Sequence, residues 1–439
     1  MTKGKKVGLA ISLGLPAVCA VGGFLVVQSI FGRTASERDI ELAAARADGI
    51  PVEPAELAPM TFVADKDNAA PYYAKVSSLM KTGAFRADFD TLGTSWSTRT
   101  KTTDRSKFPA ALAHLRPLLA LVEAAGDKPG CDFRRNWSLG PNLLFPEYAD
   151  IKLWLKALCV QAEQQSAGGD WRAALKSIER AETISHHCGA DPIVIGHLVQ
   201  IATEKIVDRS FEKIIGQHVG NARFVVAAQQ TIAKYGPLPD YRRSLMGEVA
   251  MGRVAIPMID SFGVFGGGSP GHSNALERTL LQSHTVQNAF DTKFLRAYRT
   301  FIERVPKDPR QWEKATLAAR EMQREIDADN SLPNKINQFL FPTFDAAAMA
   351  TGGIVTHRQL IGTTLKLIDV RHQTGRYPRL LPDYGKLSID PYSGKPFRYR
   401  REGTGFLLYS IGADKTDDGG APRDPTDSHA TFDESVRIK

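Results

Sequence analysis

The feature that constrains this chain first is an uncharged run of 21 residues near its N-terminus, Val7 to Val27. At about 1.5 Å rise per helical residue, about 20 such residues cover the roughly 30 Å hydrocarbon core of a bilayer, so the run reads as one membrane span. Lys3, Lys5 and Lys6 precede it, and the mixed set Arg33, Glu37, Arg38 and Asp39 follows. Short lysine-bearing flanks stay cytoplasmic, which predicts an N-terminus in the cytoplasm and the bulk of the chain on the far side. Val18-Cys19-Ala20 has the small-residue character of a cleavage site, but the apolar run continues to Val27, longer than a signal peptide needs. The expectation is therefore an uncleaved anchor. Pro16-Ala17-Val18 lacks a lipobox pattern, so Cys19 does not argue for lipidation.

An apolar content of 43% with 24% charged residues is that of a folded protein, and 439 residues leave room for two or three domains. The net charge of +8 is dispersed, without the block of like charges that would form a nucleic-acid arm. Of four cysteines, Cys131, Cys159 and Cys188 lie beyond the span. Two arrangements satisfy that odd number: a Cys131–Cys159 bridge with one free thiol, or three buried free thiols packing as small hydrophobes.

The chain after the span reads as helical. A polar helix is expected over residues 34–49, then a linker made extended by Pro51, Pro54 and Pro59, and a helix over 68–81. Leu115, Leu118, Leu119 and Val122 recur at helical spacing up to a turn at Gly126–Gly130. Ile151, Trp154, Leu155 and Leu158 repeat it up to Gly168-Gly169. Asp170 then caps a helix whose stripe is Trp171, Ala174, Leu175, Ile178, Ala181 and Ile184. Asp191-Pro192 offers a cap and first-turn proline for a helix over 193–215. Further helices are expected over 222–235, 241–259, 276–304, 310–328 and 345–372. The glycine loop Gly263–Gly271 lacks the Lys-Ser/Thr of a phosphate cradle and reads as a connection.

Candidate chemistry is sparse. His186-His187-Cys188 cannot converge on one ion, because adjacent helical residues point about 100° apart. Histidines ending a helix favourably meet its dipole instead. His114, His197, His218, His272, His284 and His357 stand alone in sequence, and neither a hydrolase nor a nucleotide motif is present. No catalytic residue is assigned.

The C-terminal block is denser in signal. Gly375-Arg376-Tyr377-Pro378 ends the long helix, Asp390–Pro396 is turn chemistry, and Phe397–Arg400 and Phe406–Ile411 flank a turn at Glu402–Gly405, predicting a β-hairpin packed on the helix. These motifs, followed by Leu408-Tyr409-Ser410-Ile411-Gly412-Ala413-Asp414 and an acidic glycine-rich tail, resemble the C-terminal domain of the major pseudopilin of type II secretion systems. The resemblance spans roughly the last eighty residues. It implies a calcium-binding acidic loop, with Asp414, Asp417, Asp418 and Asp424 as ligands; clustered carboxylates suit a hard cation. Val7–Val27 departs from the family, since it carries neither the leader junction nor the glutamate that directs filament assembly. Earlier in the chain, Gly169-Asp170-Trp171-Arg172-Ala173-Ala174-Leu175 resembles the start of a tetratricopeptide-type hairpin.

The sequence thus predicts a mainly α protein: a cytoplasmic tip and transmembrane anchor (1–33), a short helix and linker (34–66), an extracytoplasmic helical-hairpin domain (67–344) and a small α+β pseudopilin-like domain (345–439). Its layout resembles bacterial single-pass proteins of the cytoplasmic membrane. The expected role is a non-enzymatic envelope scaffold or interaction protein with other envelope proteins as partners, possible calcium and no nucleic acid. The rival is an extracytoplasmic hydrolase or wall-modifying enzyme whose groups meet only in the fold; a deep pocket with two close carboxylates would favour it.

Overall fold

The computed structural model describes residues 33–81, 85–94, 104–258, 282–341, 344–421 and 433–439. The expected span at Val7–Val27, the glycine loop at Gly263–Gly271, His272 and Asp424 lie outside these residues. The described chain is mainly helical, with a three-stranded antiparallel sheet near the C-terminus.

Helix α1 covers residues 33–47. The main helices that follow are α2 (Ala70–Met80), α3 (Arg86–Gly93), α4 (Phe108–Gly126), α5 (Pro146–Ala167), α6 (Trp171–Cys188), α7 (Val194–Gln217), α8 (Ala222–Ala233) and α9 (Tyr241–Ala255). They continue with α10 (His284–Arg304), α11 (Trp312–Ala328), α12 (Lys335–Leu340) and α13 (Phe344–Thr374). Among the described residues, one helical stretch, Arg105–Gly126, is long and apolar enough to cross a membrane. Its Phe108, Leu115, Leu118, Leu119 and Val122 are packed into the protein core.

Two apolar cores organise the body. The larger joins α2 to α8 with the second half of α13 and the sheet; the α5–α6 hairpin turns at Gly168-Gly169, where Gly169 takes φ +89° and Asp170 accepts the Ala173 amide at 3.0 Å. The smaller joins α1, α9, α10, α11 and α12 around Phe290, Phe294, Tyr298 and Phe301. Helix α13 belongs to both: Phe344, Ala347 and Ala348 sit in the smaller core, and Leu360, Ile361, Leu365, Leu367 and Ile368 in the larger. Between these apolar ends its middle turns carry Thr351, Thr356, His357 and Arg358. Gly352 gives the Trp312 indole room; a Cβ there would lie 2.6 Å from the ring.

The expected hairpin forms as β1 (Arg398–Glu402) and β2 (Gly405–Ser410). A third strand, β3 (Glu434–Ile438), pairs antiparallel with β2, giving the order β1-β2-β3. The sequence there reads only as an acidic tail. Five residues alternating about a buried Val436 and Ile438 make a short signal, and pairing with the wholly buried β2 fixes it.

Other expectations are corrected by tertiary contacts. The segment expected to be a linker is packed: Ile50, Val52 and Leu57 are buried, and Pro54–Glu56 and Ala58–Thr61 form short helical turns. Asp191 does not cap α7. The Val194 amide donates instead to Glu248 of α9 at 2.8 Å. Asp191 is buried and accepts from Arg135 Nε and from the Tyr148 hydroxyl, both at 2.6 Å. The Arg135 guanidinium lies over the Phe133, Phe145 and Tyr148 rings. Cys131, Cys159 and Cys188 are all free and buried, and burial pushes the Cys188 thiol up to about 12. No bridge joins Cys131 to Cys159.

Candidate functional site

The site is built where α6, α7 and the middle of α13 meet. Helix α6 buries Ala174, Ile178, Ala181 and Ile184, and carries Glu182 and His186 one turn apart on the flank of that stripe. Helix α7 buries Ile206, Val207, Phe211 and Ile214, yet places Gln200, Glu204, Asp208 and Glu212 at successive four-residue steps. Residues four apart share a helix face, so α7 presents a polar ladder inside an apolar helix. Helix α13 supplies His357 and Arg358 opposite it.

Arg358 is the centre of the arrangement. One guanidinium nitrogen, Nη2, donates to Glu182 Oε1 at 2.7 Å and to Glu204 Oε2 at 2.8 Å, while Nη1 donates to the Gly236 carbonyl at 2.9 Å. The guanidinium also lies 5.4 Å from the centre of the Tyr235 ring. Glu182 and Glu204 are both buried. Burial, and then the Glu182 carboxylate, push Glu204 well above the usual carboxylate range against the pull of Arg358. On the cavity side, His186 Nε2 lies 3.2 Å from Glu182 Oε1, and Gln200 Nε2 is 3.2 Å from His186 Nδ1 and 2.8 Å from Glu204 Oε1.

One turn along α7 the chemistry changes. Both Asp208 oxygens are buried without a hydrogen-bond donor, and burial pushes this carboxyl up to about 7 although His357 draws it down. His357 Nε2 stands 3.3 Å from Glu212 and Nδ1 3.7 Å from Glu434 of β3. Burial alone would lower its pKa; the two carboxylates overcome this and raise it well above the ordinary histidine value. His357 thus stands within ion-pair distance of both α7 and β3.

Two cavities flank this polar seam. One, of about 560 Å³, is lined by His186, His197, Gln200, Asp240, Arg243 and Arg310 among others. The other, of about 450 Å³, is lined by Lys205, Arg209, Glu212, His357, Asp433 and Glu434 among others. Within the first, Arg243 is committed to the Gly189, Ala190 and Met60 carbonyls, and Arg310 to Asp308. The Ser244 hydroxyl donates back to the Asp240 carbonyl at 3.1 Å. These wall side chains are thus committed to partners within the protein.

The structure separates the histidines of the His186-His187-Cys188 run as helical geometry requires. His187 faces the main core, with Nδ1 2.7 Å from the Tyr73 hydroxyl and Nε2 3.0 Å from the Lys128 carbonyl, and burial lowers it to about 4. His186 faces the cavity. Of the histidines isolated in sequence, His114 meets Asp88 at 2.6 Å, His197 meets Thr351 at 3.1 Å and His218 meets Ser166 at 2.9 Å. His357 is isolated only in sequence. The signals that sequence reading missed were the four-residue steps, Glu182 to His186 and Gln200 to Glu212, which no linear motif encodes.

Among the described residues, the His, Cys, Asp and Glu side chains whose ligand atoms gather within 4.8 Å of one another are Glu182, His186 and Glu204. Asp414, Asp417 and Asp418 do not form such a group. Asp414 accepts the Thr416 amide at 3.1 Å; Asp417 takes the Tyr409 hydroxyl at 3.0 Å and Arg398 at 3.1 Å. Asp433 is buried, uses Oδ2 for the Asp418 and Gly420 amides, and leaves Oδ1 without a partner. Burial raises its pKa, with the Asp418 and Asp417 charges adding to the rise.

Compared with protein-family models, with characterised proteins and with solved structures, the chain matches none.

Proposed function

We propose that this chain is a membrane-anchored, extracytoplasmic scaffold or interaction protein of the bacterial envelope. The observation that carries the reading is the docking of α1, which begins only six residues beyond the end of the Val7–Val27 run. Arg296 and Arg299 of α10 hold Glu41 of α1 at 2.9 and 2.8 Å, Arg38 donates to Asn288, and Ala45 is buried in the smaller core. An anchor this near to α1 in sequence carries a packed body close to the membrane, with α13 linking the two cores and the sheet of that body. Such a body offers partners fixed helical surfaces.

Association with a type II secretion or pilus-like apparatus rests on the C-terminal resemblance. It is supported by a 31-residue helix that carries a three-stranded antiparallel sheet on its second half. Calcium belongs to that reading; Asp433, with Asp417 and Asp418 beside it, would hold the ion, whose charge would relieve their repulsion. The test is crosslinking in intact membranes followed by affinity purification, together with protease digestion of spheroplasts. Recovery of a recurrent envelope partner and external cleavage of the body are expected. A body protected inside spheroplasts overturns the topology, and crosslinks confined to bulk membrane protein overturn the scaffold role.

One observation favours the hydrolase alternative: His186, backed by Glu182, lies at the wall of the larger cavity. That reading requires soluble fragments to be released from purified cell-wall sacculi and the release to stop in His186→Ala.

A further inference from the structure

We propose that Glu182, His186 and Glu204 bind one first-row divalent metal ion of the zinc or manganese class, reached from the cavity that His186 and Gln200 line. The site does not depend on the anchor or scaffold reading. His186 Nε2 lies 3.2 Å from Glu182 Oε1 and 4.0 Å from Glu204 Oε1. Ligands held at about 2.0–2.2 Å from a single ion stand roughly 3 to 4 Å from each other, so this spacing is that of a coordination polyhedron.

Arg358 at first looks like the occupant that excludes an ion. Its Nη2 engages Glu182 Oε1 and Glu204 Oε2, one oxygen of each carboxylate. The second Glu182 oxygen, Oε2, is buried without any donor, and the second Glu204 oxygen faces Gln200 and His186. The guanidinium therefore braces both carboxylates: Glu204 Oε1 keeps a lone pair beside the bond it accepts from Gln200, and on Glu182 an ion would share Oε1, the oxygen 3.2 Å from His186, with Arg358 or take the orphaned Oε2. Space is kept on the imidazole side as well: a Cβ on Gly236 would sit 2.6 Å from His186 Nε2.

The donor set chooses the class of ion. One imidazole with two carboxylates suits zinc, manganese or iron, whereas calcium wants six to eight oxygens. His186 is the ligand nearest solvent, with 22% of its side chain exposed, so the ion would enter past it and complete its shell with cavity water.

The full chain, solubilised in detergent and stripped with EDTA, is titrated calorimetrically with ZnCl₂ and separately with MnCl₂. One ion per chain is expected for at least one metal, with affinity reduced at least about tenfold in His186→Ala and in Glu204→Gln. His114→Ala, on a distant surface pair, should leave affinity unchanged. Cobalt(II) gives an independent readout, a visible absorption band present in the wild type and lost in His186→Ala. Should Glu204→Gln fail to fold, His186→Ala decides, because that side chain is partly exposed and its circular dichroism reports folding directly. Absence of binding by the wild type, or equal affinity in His186→Ala, overturns the proposal.

Discussion

Replacing Asp208 by asparagine should make this protein more stable, and by an amount that grows with pH. Asp208 is fully buried on α7, and neither carboxylate oxygen has a donor. Burial raises its pKa from the model-compound value of 3.8 to about 7 in the folded state. Across that window the folded protein keeps a proton that the unfolded chain has released, so stability falls as pH rises. The contribution is complete below about pH 4 and lost above about pH 7. A difference of about 3 pKa units corresponds to about 4 kcal/mol at 1.36 kcal/mol per unit. Asparagine has the shape of the protonated acid and cannot ionise. Asp208→Asn should therefore gain about 3 kcal/mol more at pH 8 than at pH 4.5, measured by urea unfolding with EDTA present. His357 and Arg358 draw this carboxyl down, but burial outweighs them. A variant that is less stable at pH 8, or a difference that does not vary with pH, would show that the carboxylate is ionised and paired, and would refute this reasoning.

Three further outcomes follow from single contacts. Arg135→Leu should destabilise by about 3–5 kcal/mol, because it leaves Asp191 buried without its charge partner; the double variant Arg135→Leu/Asp191→Leu should recover most of that loss in thermal or urea unfolding. Gly247→Ala should destabilise strongly, by more than about 3 kcal/mol, because its Cβ would fall 1.7 Å from the Pro192 carbonyl oxygen at the α7–α9 crossing; a melting temperature within a degree of wild type would contradict the packing described. Millimolar calcium should raise the melting temperature of the wild type and leave Asp433→Asn unmoved, since Asp433 holds the orphaned oxygen of the acidic turn; an equal shift in both would place any calcium elsewhere.

Local patterns determined much of this protein. Apolar spacing at Ile151–Leu158 and Trp171–Ile184 located α5 and α6, Asp170 located their cap, and the turn residues at Glu402–Gly405 located the hairpin, because each depends on neighbours within a few residues. Charge placement around Val7–Val27 likewise sets the expected topology by composition alone. Tertiary structure decided the rest. Asp191 reads as a cap and is a buried ion-pair partner, because Glu248, more than fifty residues on, takes the amide that Asp191 would have bound. Pro51–Pro59 reads as a linker, yet it buries Pro51, Val52 and Leu57. The polar seam illustrates the limit most clearly. Glu182 and His186, Gln200 to Glu212, and His357-Arg358 are ordinary polar residues on three helices far apart in the chain. They become a site only when α13 brings Arg358 between two carboxylates from α6 and α7. Burial then gives Glu204 and, one turn along α7, Asp208 an affinity for protons that neither has in water.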